Sequence, residues 1–286
     1  MAVAGSEKDC VDLYRETSCL PGTYTRGVIA TELQMSLNGP ISAQHSNIIS
    51  GIDNDSGKRY MLKLLAIPVV ERSVRTEDLR RAIDAEVEAS RNILGLECEG
   101  LVKCTPVEVT ITRSNDLPVS AGTWRALKMQ PYFSSLRDVP QLSEKLLKAG
   151  FRRIRTALDA LHGSGFVHMD IKPDNVFVDG DGNWDLGDFG STRKVGNNLW
   201  SWSVLYNPYK LETRHLATPA MDMVLLCVLI AFERDKQDQS SLFDKTENVQ
   251  TERVLSSLRK INDAGFRDEL VDLFSRCVEE VEQWLK

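Results

Sequence analysis

The sequence predicts an α+β protein, and three observations carry that expectation. Short alternating or apolar runs suited to strands crowd the first half, between Thr31 and Gln130. Stretches with apolar residues at helical spacing dominate the second half, from Gln141 to Leu285. Within that helical half lies one compact exception, Phe166 to Gly190, which reads as two short strands around a tight turn. At 286 residues the chain is long enough for one large domain or for two lobes with a substantial core.

In chain order, residues 1–30 mix Gly, Ser, Thr and charge without periodicity and read as an extension. Thr31–Leu37 alternates as a strand does, and Ser46–Ile52 is its candidate partner. Asn54-Asp55-Ser56-Gly57 supplies a turn before a third strand, Arg59–Leu65. Thr76 is the expected cap of a helix whose first turn holds Glu77 and Asp78, where the helix dipole favours acids. Leu79, Ile83, Val87, Ser90 and Leu94 fall along one face of it. Val102–Arg113 and Trp124–Gln130 read as two more strands, separated by Ser114–Pro118. Gln141–His162 is a helix with Leu146, Leu147, Phe151, Ile154, Leu158 and Leu161 on its inward face. Gln250–Ile261 and Phe266–Leu285 are amphipathic helices.

Composition narrows the function classes. With 42% hydrophobic and 27% charged residues the chain is ordinary for a soluble globular protein. A net charge of −6 argues against general nucleic-acid binding and for an acidic, intracellular, cytoplasmic protein. The six cysteines are scattered with no C-x-x-C pair, which favours reduced thiols over a disulfide framework or zinc site. The start, M-A-V-A-G-S-E-K-D, lacks a basic-then-apolar signal pattern. The most apolar run, Met223–Phe232, is too short to span a bilayer, so no membrane partner is expected.

The chemistry concentrates in Phe166–Gly190. Val176-Phe177-Val178 is a strand, Asp179–Asn183 a turn, and Trp184–Gly187 the returning strand. Such a hairpin brings the loops at its two open ends together, so Asp170, Lys172, Asn175 and Asp188 converge on one small volume. Phosphoryl transfer needs such a set: a carboxylate near the attacking hydroxyl, a cation near the transferred group, and oxygen-bearing side chains for magnesium. Asp179-x-Asp181-x-Asn183 also looks like the start of a calcium loop. It has Trp184 where that loop needs Gly and Gly190 where it needs Glu, so it reads as a turn.

The stretch resembles the catalytic core of eukaryotic protein kinases. His168-Met169-Asp170-Ile171-Lys172-Pro173-Asp174-Asn175 matches the catalytic loop apart from Met169, where the family usually has Arg. Asp188-Phe189-Gly190 matches the magnesium-binding D-F-G, and Lys172 is what the serine/threonine branch carries. The resemblance runs from about residue 31 to 286. It implies a bilobal fold: a β-rich N-lobe with the family's αC helix over 31–132, including the hinge, and a mainly helical C-lobe over 133–286, truncated at its C-terminal end. It implies ATP and Mg2+ as cofactors and a protein substrate as partner. Asp170, Lys172 and Asn175 would be catalytic, with Asn175 and Asp188 on the metal. Lys63 would grip the nucleotide phosphates with Glu86 as its partner, Glu88 being the fallback. Met129 would be the gatekeeper, and Gln130 and Tyr132 would belong to the hinge that binds adenine. Asp222, opening the apolar run, would cap the backbone of the catalytic loop.

Three departures stand out. Where the family has a G-x-G-x-x-G phosphate loop, only Gly39 remains, followed by Pro40, which lacks an N–H. Asn207-Pro208-Tyr209 stands in place of A-P-E. Met169 replaces the arginine. The expected function is transfer of the ATP γ-phosphoryl group to a Ser or Thr hydroxyl of a protein. The alternatives are a pseudokinase that binds ATP or partners without turnover, and a small-molecule kinase of the aminoglycoside or choline type. Lys172 and the D-F-G triplet argue against the last of these.

Overall fold

A computed structural model describes residues 18–19, 35–40, 48–65, 67–68, 74–111, 122–199, 206–209, 211–243 and 249–285. They form two compact units. The first takes the described residues up to Gly95 together with Lys103–Pro131, and the second takes Leu96–Val102 and the described residues from Tyr132 onward. The α+β organisation expected from the sequence is present, with the main sheet in the first unit and most helices in the second.

The first unit is built on a five-stranded antiparallel sheet. In chain order its strands are β2 (Met35–Pro40), β3 (Ile48–Asp53), β4 (Arg59–Leu64), β6 (Thr105–Ile111) and β7 (Gly122–Met129), and the spatial order is β2-β3-β4-β7-β6. Two short strands, β1 (Ser18–Cys19) and β5 (Ile67–Pro68), pair separately. β4 is central: Lys63 sits opposite Ile48 on one side and Leu127 on the other. Leu62, Ala126, Leu127 and Met129 are buried on this sheet. Helix α1 (Val74–Leu94) buries Ile83, Glu86, Val87, Ser90 and Ile93, positions three or four apart that fall on one helical face.

Two sequence expectations for α1 are corrected. Thr76 is inside the helix, which already runs from Val74, so it is not the cap. Leu94 is exposed, because it is the last helical residue and the chain turns away at Gly95, whose N–H bonds the Asn92 carbonyl. The carbonyl of Ile93 at this end is capped by the Lys103 ammonium at 2.7 Å. The loop at 112–121 and the segment at 41–47 lie outside the described residues.

The second unit packs around helix α3 (Pro219–Arg234), buried from Ala220 through Glu233. Pro219 at the first helical position costs no hydrogen bond there. Helix α2 (Glu144–Gly163) buries Leu147, Phe151, Ile154, Leu158 and Leu161, while α4 (Thr251–Leu258) and α5 (Ala264–Trp284) complete the layer. Phe151 of α2 meets Phe266 of α5 with ring centroids 5.5 Å apart. Leu146, expected on the inward face of α2, is exposed instead. One residue turns a helix by about 100°, so a neighbour of Leu147 falls off the stripe that Leu147 defines.

Three short strands form a sheet of order β8-β10-β11: β8 (Ser134–Ser135), β10 (Val176–Val178) and β11 (Trp184–Leu186). β9 (Phe166–Val167) pairs with β12 (Arg193–Lys194). Trp184 is fully buried against Gly150 of α2, where a Cβ would come within 2.3 Å of the indole. Any larger residue at 150 would push the hairpin off its helix.

Candidate active site

The hairpin does what its length demands. β10 and β11 pair in register from Val176↔Leu186 to Val178↔Trp184. The Asp179 carboxylate closes the turn by accepting from the N–H groups of Asp181 and Asn183 and from the Asn183 amide, each at 2.9 Å. These local bonds commit its oxygens to the turn. At the open end the Gly187 N–H donates to the Asn175 carbonyl at 2.9 Å, so the residue before Asp188 is tied directly to Asn175.

Asn175, Asp170 and Lys172 form one cluster in the second unit. The Asn175 Nδ2 donates to the Asp170 carbonyl and to Asp170 Oδ2, both at 2.8 Å. Lys172 Nζ lies 3.0 Å from that same Oδ2. The other carboxylate oxygen, Asp170 Oδ1, is buried and meets no hydrogen-bond partner among the described residues. One oxygen is therefore held by a cation and an amide, and the other is an unused acceptor. A buried carboxylate oxygen left in that state costs free energy unless something else occupies it.

His168 and Asp222 anchor the loop from behind. His168 is completely buried, and burial pushes its imidazole pKa below the ordinary value although Asp222, Asp170 and Asp188 pull the other way. Its Nε2 donates to the Gly187 carbonyl at 3.1 Å, and its Nδ1 accepts from the Asp170 N–H at 3.2 Å. Only the neutral ring protonated at Nε2 satisfies both bonds. Asp222, also fully buried, accepts from the N–H groups of His168 (2.7 Å) and Met169 (2.8 Å) and from His162 Nε2 (2.8 Å). Met169 and Asp188 are the two non-glycine residues with left-handed backbone among the described residues, at φ 70° and 61°. Each such residue costs of order 1–3 kcal/mol and persists only where its surroundings impose it. For Met169, the bond from its own N–H to Asp222 and its buried side chain do so.

In the first unit, Lys63 Nζ pairs with Glu86 Oε1 at 2.6 Å, with both side chains largely buried. Glu88, the fallback partner, is on the exposed side of α1. Met129 is buried at the end of β7 opposite Met61, and Gln130 after it is exposed. Tyr132 uses its side chain within the second unit: its hydroxyl donates to Asp185 Oδ2 at 2.9 Å and its ring lies 5.4 Å from that of Phe177. Gly39 pairs with Ser50 and Pro40 with Ile49 on β2, an edge strand, where a residue without an N–H is tolerated. The register shifts between Leu37 and Gly39, which makes a bulge at Asn38.

Several contacts around the cluster carry no periodic sequence signal. Arg153 of α2 binds Asp185 Oδ1 through Nη2 at 2.9 Å, donates to the Trp184 carbonyl at 3.0 Å, and pairs with Glu99. Arg137 binds Asp174, between Pro173 and Asn175. Arg193 is largely desolvated, which pulls its guanidinium pKa down to about 10, and it donates to the Thr192 and Gly190 carbonyls. Asn207 closes a turn by accepting from the Tyr209 N–H at 2.9 Å. Residues 200–205, in the stretch that follows Asp188-Phe189-Gly190, lie outside the described residues.

Comparison with known proteins bears on the whole arrangement. A family model described as protein kinase domain matches residues 44–280, well over half of the chain. The rat (Rattus norvegicus) cGMP-dependent protein kinase 2 is 34% identical over 76 residues, 27% of this chain and 10% of that protein. Human (Homo sapiens) Rho-associated protein kinase 1 is 43% identical over 58 residues, 20% of this chain and 4% of that protein. The mouse (Mus musculus) sperm motility kinase 2B is 30% identical over 105 residues, 35% of this chain and 22% of that protein. The chain thus spans less than a quarter of the length of these curated relatives.

Proposed function

The chain belongs to the protein kinase domain family, and from that premise we propose that it transfers the γ-phosphoryl group of ATP to a serine or threonine hydroxyl of a protein. The observation that carries this reading is the asymmetry of the Asp170 carboxylate. Oδ2 is held by Lys172 and Asn175, and Oδ1 is buried with no partner among the described residues. An acceptor in that state suits a hydroxyl donor supplied by the substrate. As the hydroxyl oxygen bonds to the γ-phosphorus, its proton passes to Asp170 Oδ1. The bond from the γ-phosphorus to the bridging oxygen breaks, and that oxygen's electron pair leaves with ADP. Lys172 balances the charge that accumulates on the transferred group.

The same residues fit a hard cation. Asn175 commits its Nδ2 to Asp170, which leaves the amide oxygen as an acceptor, and Asp188 supplies a carboxylate. Magnesium is held in this way by one or two protein oxygens with phosphates and water completing its shell. Bound there, it would neutralise the β- and γ-phosphate oxygens. No group of three or more His, Cys, Asp and Glu residues among the described residues is arranged for an all-protein metal cage. In the first unit Lys63, oriented by Glu86, gives the α- and β-phosphates a cationic partner. Met129, Gln130 and Tyr132 offer backbone groups to the base, and Gly39 is the remaining glycine of the phosphate loop. No described helix is long and apolar enough to cross a membrane, and the cytoplasm is the proposed compartment.

A pseudokinase is the second reading, and the replacement of the phosphate loop favours it, since Pro40 removes a donor and Gly39 stands alone. Magnesium-dependent ATP binding and phosphoryl transfer by the purified chain decide between the two. Asp170→Asn is expected to leave ATP affinity within about twofold and to lower transfer by ~10²–10⁴. Transfer unchanged by this substitution would refute the assignment of Asp170. Binding without transfer in the wild type would establish the second reading.

A further inference from the structure

Arg137 links two parts of the second unit, the turn before Asn175 and the stretch that follows Gly190. Arg137, in the short turn Leu136–Asp138, presents its fork to Asp174, with Nε 2.5 Å from Oδ1 and Nη2 2.7 Å from Oδ2. Asp174 is the middle residue of the turn Pro173–Asn175, directly before Asn175. The same Nη2 donates to the Tyr206 hydroxyl at 3.0 Å. Tyr206 is buried near the far end of the stretch that follows Asp188-Phe189-Gly190.

Both sides of this link are fastened to α3. The Tyr206 ring packs on Phe232 with centroids 4.8 Å apart. The turn carrying Arg137 is held by Lys236, whose ammonium donates to the Leu136 carbonyl at 2.7 Å and pairs with the buried Glu233 at 2.8 Å. Gln141 donates to the carbonyls of Glu233 and Arg234, which joins the chain after the turn to the same helix end. Burial pushes the Glu233 carboxyl pKa up, against the pull of Lys236 and Arg137.

From this geometry we infer that Arg137 is a positioning residue. It locks the turn bearing Asn175 to Tyr206, so that the catalytic cluster is aligned when Tyr206 is seated on Phe232 of α3. The inference rests on the phosphoryl-transfer reading for its consequence, though not for its existence. Arg137 is itself half exposed. An ion pair at such a site contributes little to global stability, so its planar two-point grip on Asp174 acts on local geometry. A lysine can meet Asp174 with one charge but cannot serve both carboxylate oxygens and Tyr206 in one plane.

The test combines hydrogen exchange with kinetics on the full chain, comparing wild type with Arg137→Ala, Arg137→Lys and Tyr206→Phe. Exchange at the Asn175 and Gly187 amides, which bond to Lys172 and Asn175 carbonyls, is expected to quicken about 10-fold in Arg137→Ala while global stability stays the same. Arg137→Lys and Tyr206→Phe fall between it and wild type. In the same variants kcat drops by about 10-fold for Ala and less for the other two, with KM for ATP within about twofold. Equal exchange at these amides in wild type and all three variants would overturn the inference whatever the activity. If the wild type transfers no phosphate, the phosphoryl-transfer reading fails on its own, and the exchange data still decide whether the link exists.

Discussion

Lys63 and Glu86, 23 residues apart in sequence, meet at 2.6 Å with side chains only 15% and 5% exposed. A lysine on the central strand of a sheet is held in one rotamer by a carboxylate on the inward face of α1. Glu86→Gln removes the charge while keeping the shape, and loosens the ammonium from its fixed position. We expect ATP affinity to fall by about 10-fold, equivalent to ~1.4 kcal/mol, as measured by calorimetry. Glu88→Gln, on the exposed side of the same helix, is the control and is expected to change affinity by less than about twofold. Equal losses in both variants would mean that general helix charge, rather than this pair, acts on the nucleotide.

Asp188 follows Gly187, whose N–H and carbonyl are bonded to Asn175 and His168. On the phosphoryl-transfer reading, its carboxylate is the proposed main protein charge on the magnesium. Asp188→Ala is expected to abolish the extra thermal stabilisation that magnesium gives to the ATP complex. Tm measured with ATP, with and without magnesium, checks this. The same magnesium-dependent gain in wild type and variant would place the metal on other residues.

Asp222 supports the loop that carries Asp170 by accepting three hydrogen bonds in a fully buried position. Asp222→Ala strands the N–H groups of His168 and Met169. Each stranded donor costs roughly 1–3 kcal/mol, and the left-handed backbone of Met169 loses the contact that holds it. Loss of about 3–5 kcal/mol in urea denaturation is expected. Asp222→Asn keeps one acceptor oxygen and is expected to cost about 1–3 kcal/mol. A cost below ~1 kcal/mol for Ala would mean that water replaces the carboxylate without penalty.

What the sequence made legible was local. The Asp170–Asn175 interval, the hairpin after it and the apolar helix Pro219–Arg234 are encoded by spacing within one element, so reading the chain in order finds them. Contacts between polar residues far apart in sequence leave no periodic trace, which is why Arg137–Asp174 and Arg153–Asp185 emerge only from the structure. Leu96–Val102 is a similar case. Its place in the second unit rests on backbone bonds, from Val102 N–H to the Leu186 carbonyl and from Leu186 N–H to the Gly100 carbonyl, which no side chain announces. Leu94 and Leu146 are exposed despite their apolar character, because they lie near the ends of helices, where the core no longer covers every face.

Phosphoryl transfer is expected not to require phosphorylation of the segment after Gly190. In related kinases an arginine before the catalytic aspartate helps to bind a phosphorylated residue in that segment. Here Met169 fills the position with a buried, uncharged side chain that cannot form a charge-assisted bond. Arg193 and Lys194 are the adjacent cations among the described residues, and the Arg193 guanidinium is largely desolvated and already donating to the Gly190 and Thr192 carbonyls. Of the hydroxyls, Thr192 is buried, which removes it as an accessible acceptor of phosphate. Tyr206, packed on Phe232 and bonded to Arg137, offers a way to dock the segment end without phosphate. Replacing Ser191, Ser201 and Ser203 with Ala, singly and together, is expected to leave kcat within about threefold of phosphatase-treated wild type, a difference worth under ~1 kcal/mol. A drop of more than about tenfold at one position, restored by Asp at that position, would show that a phosphate orders the segment and would sink the prediction.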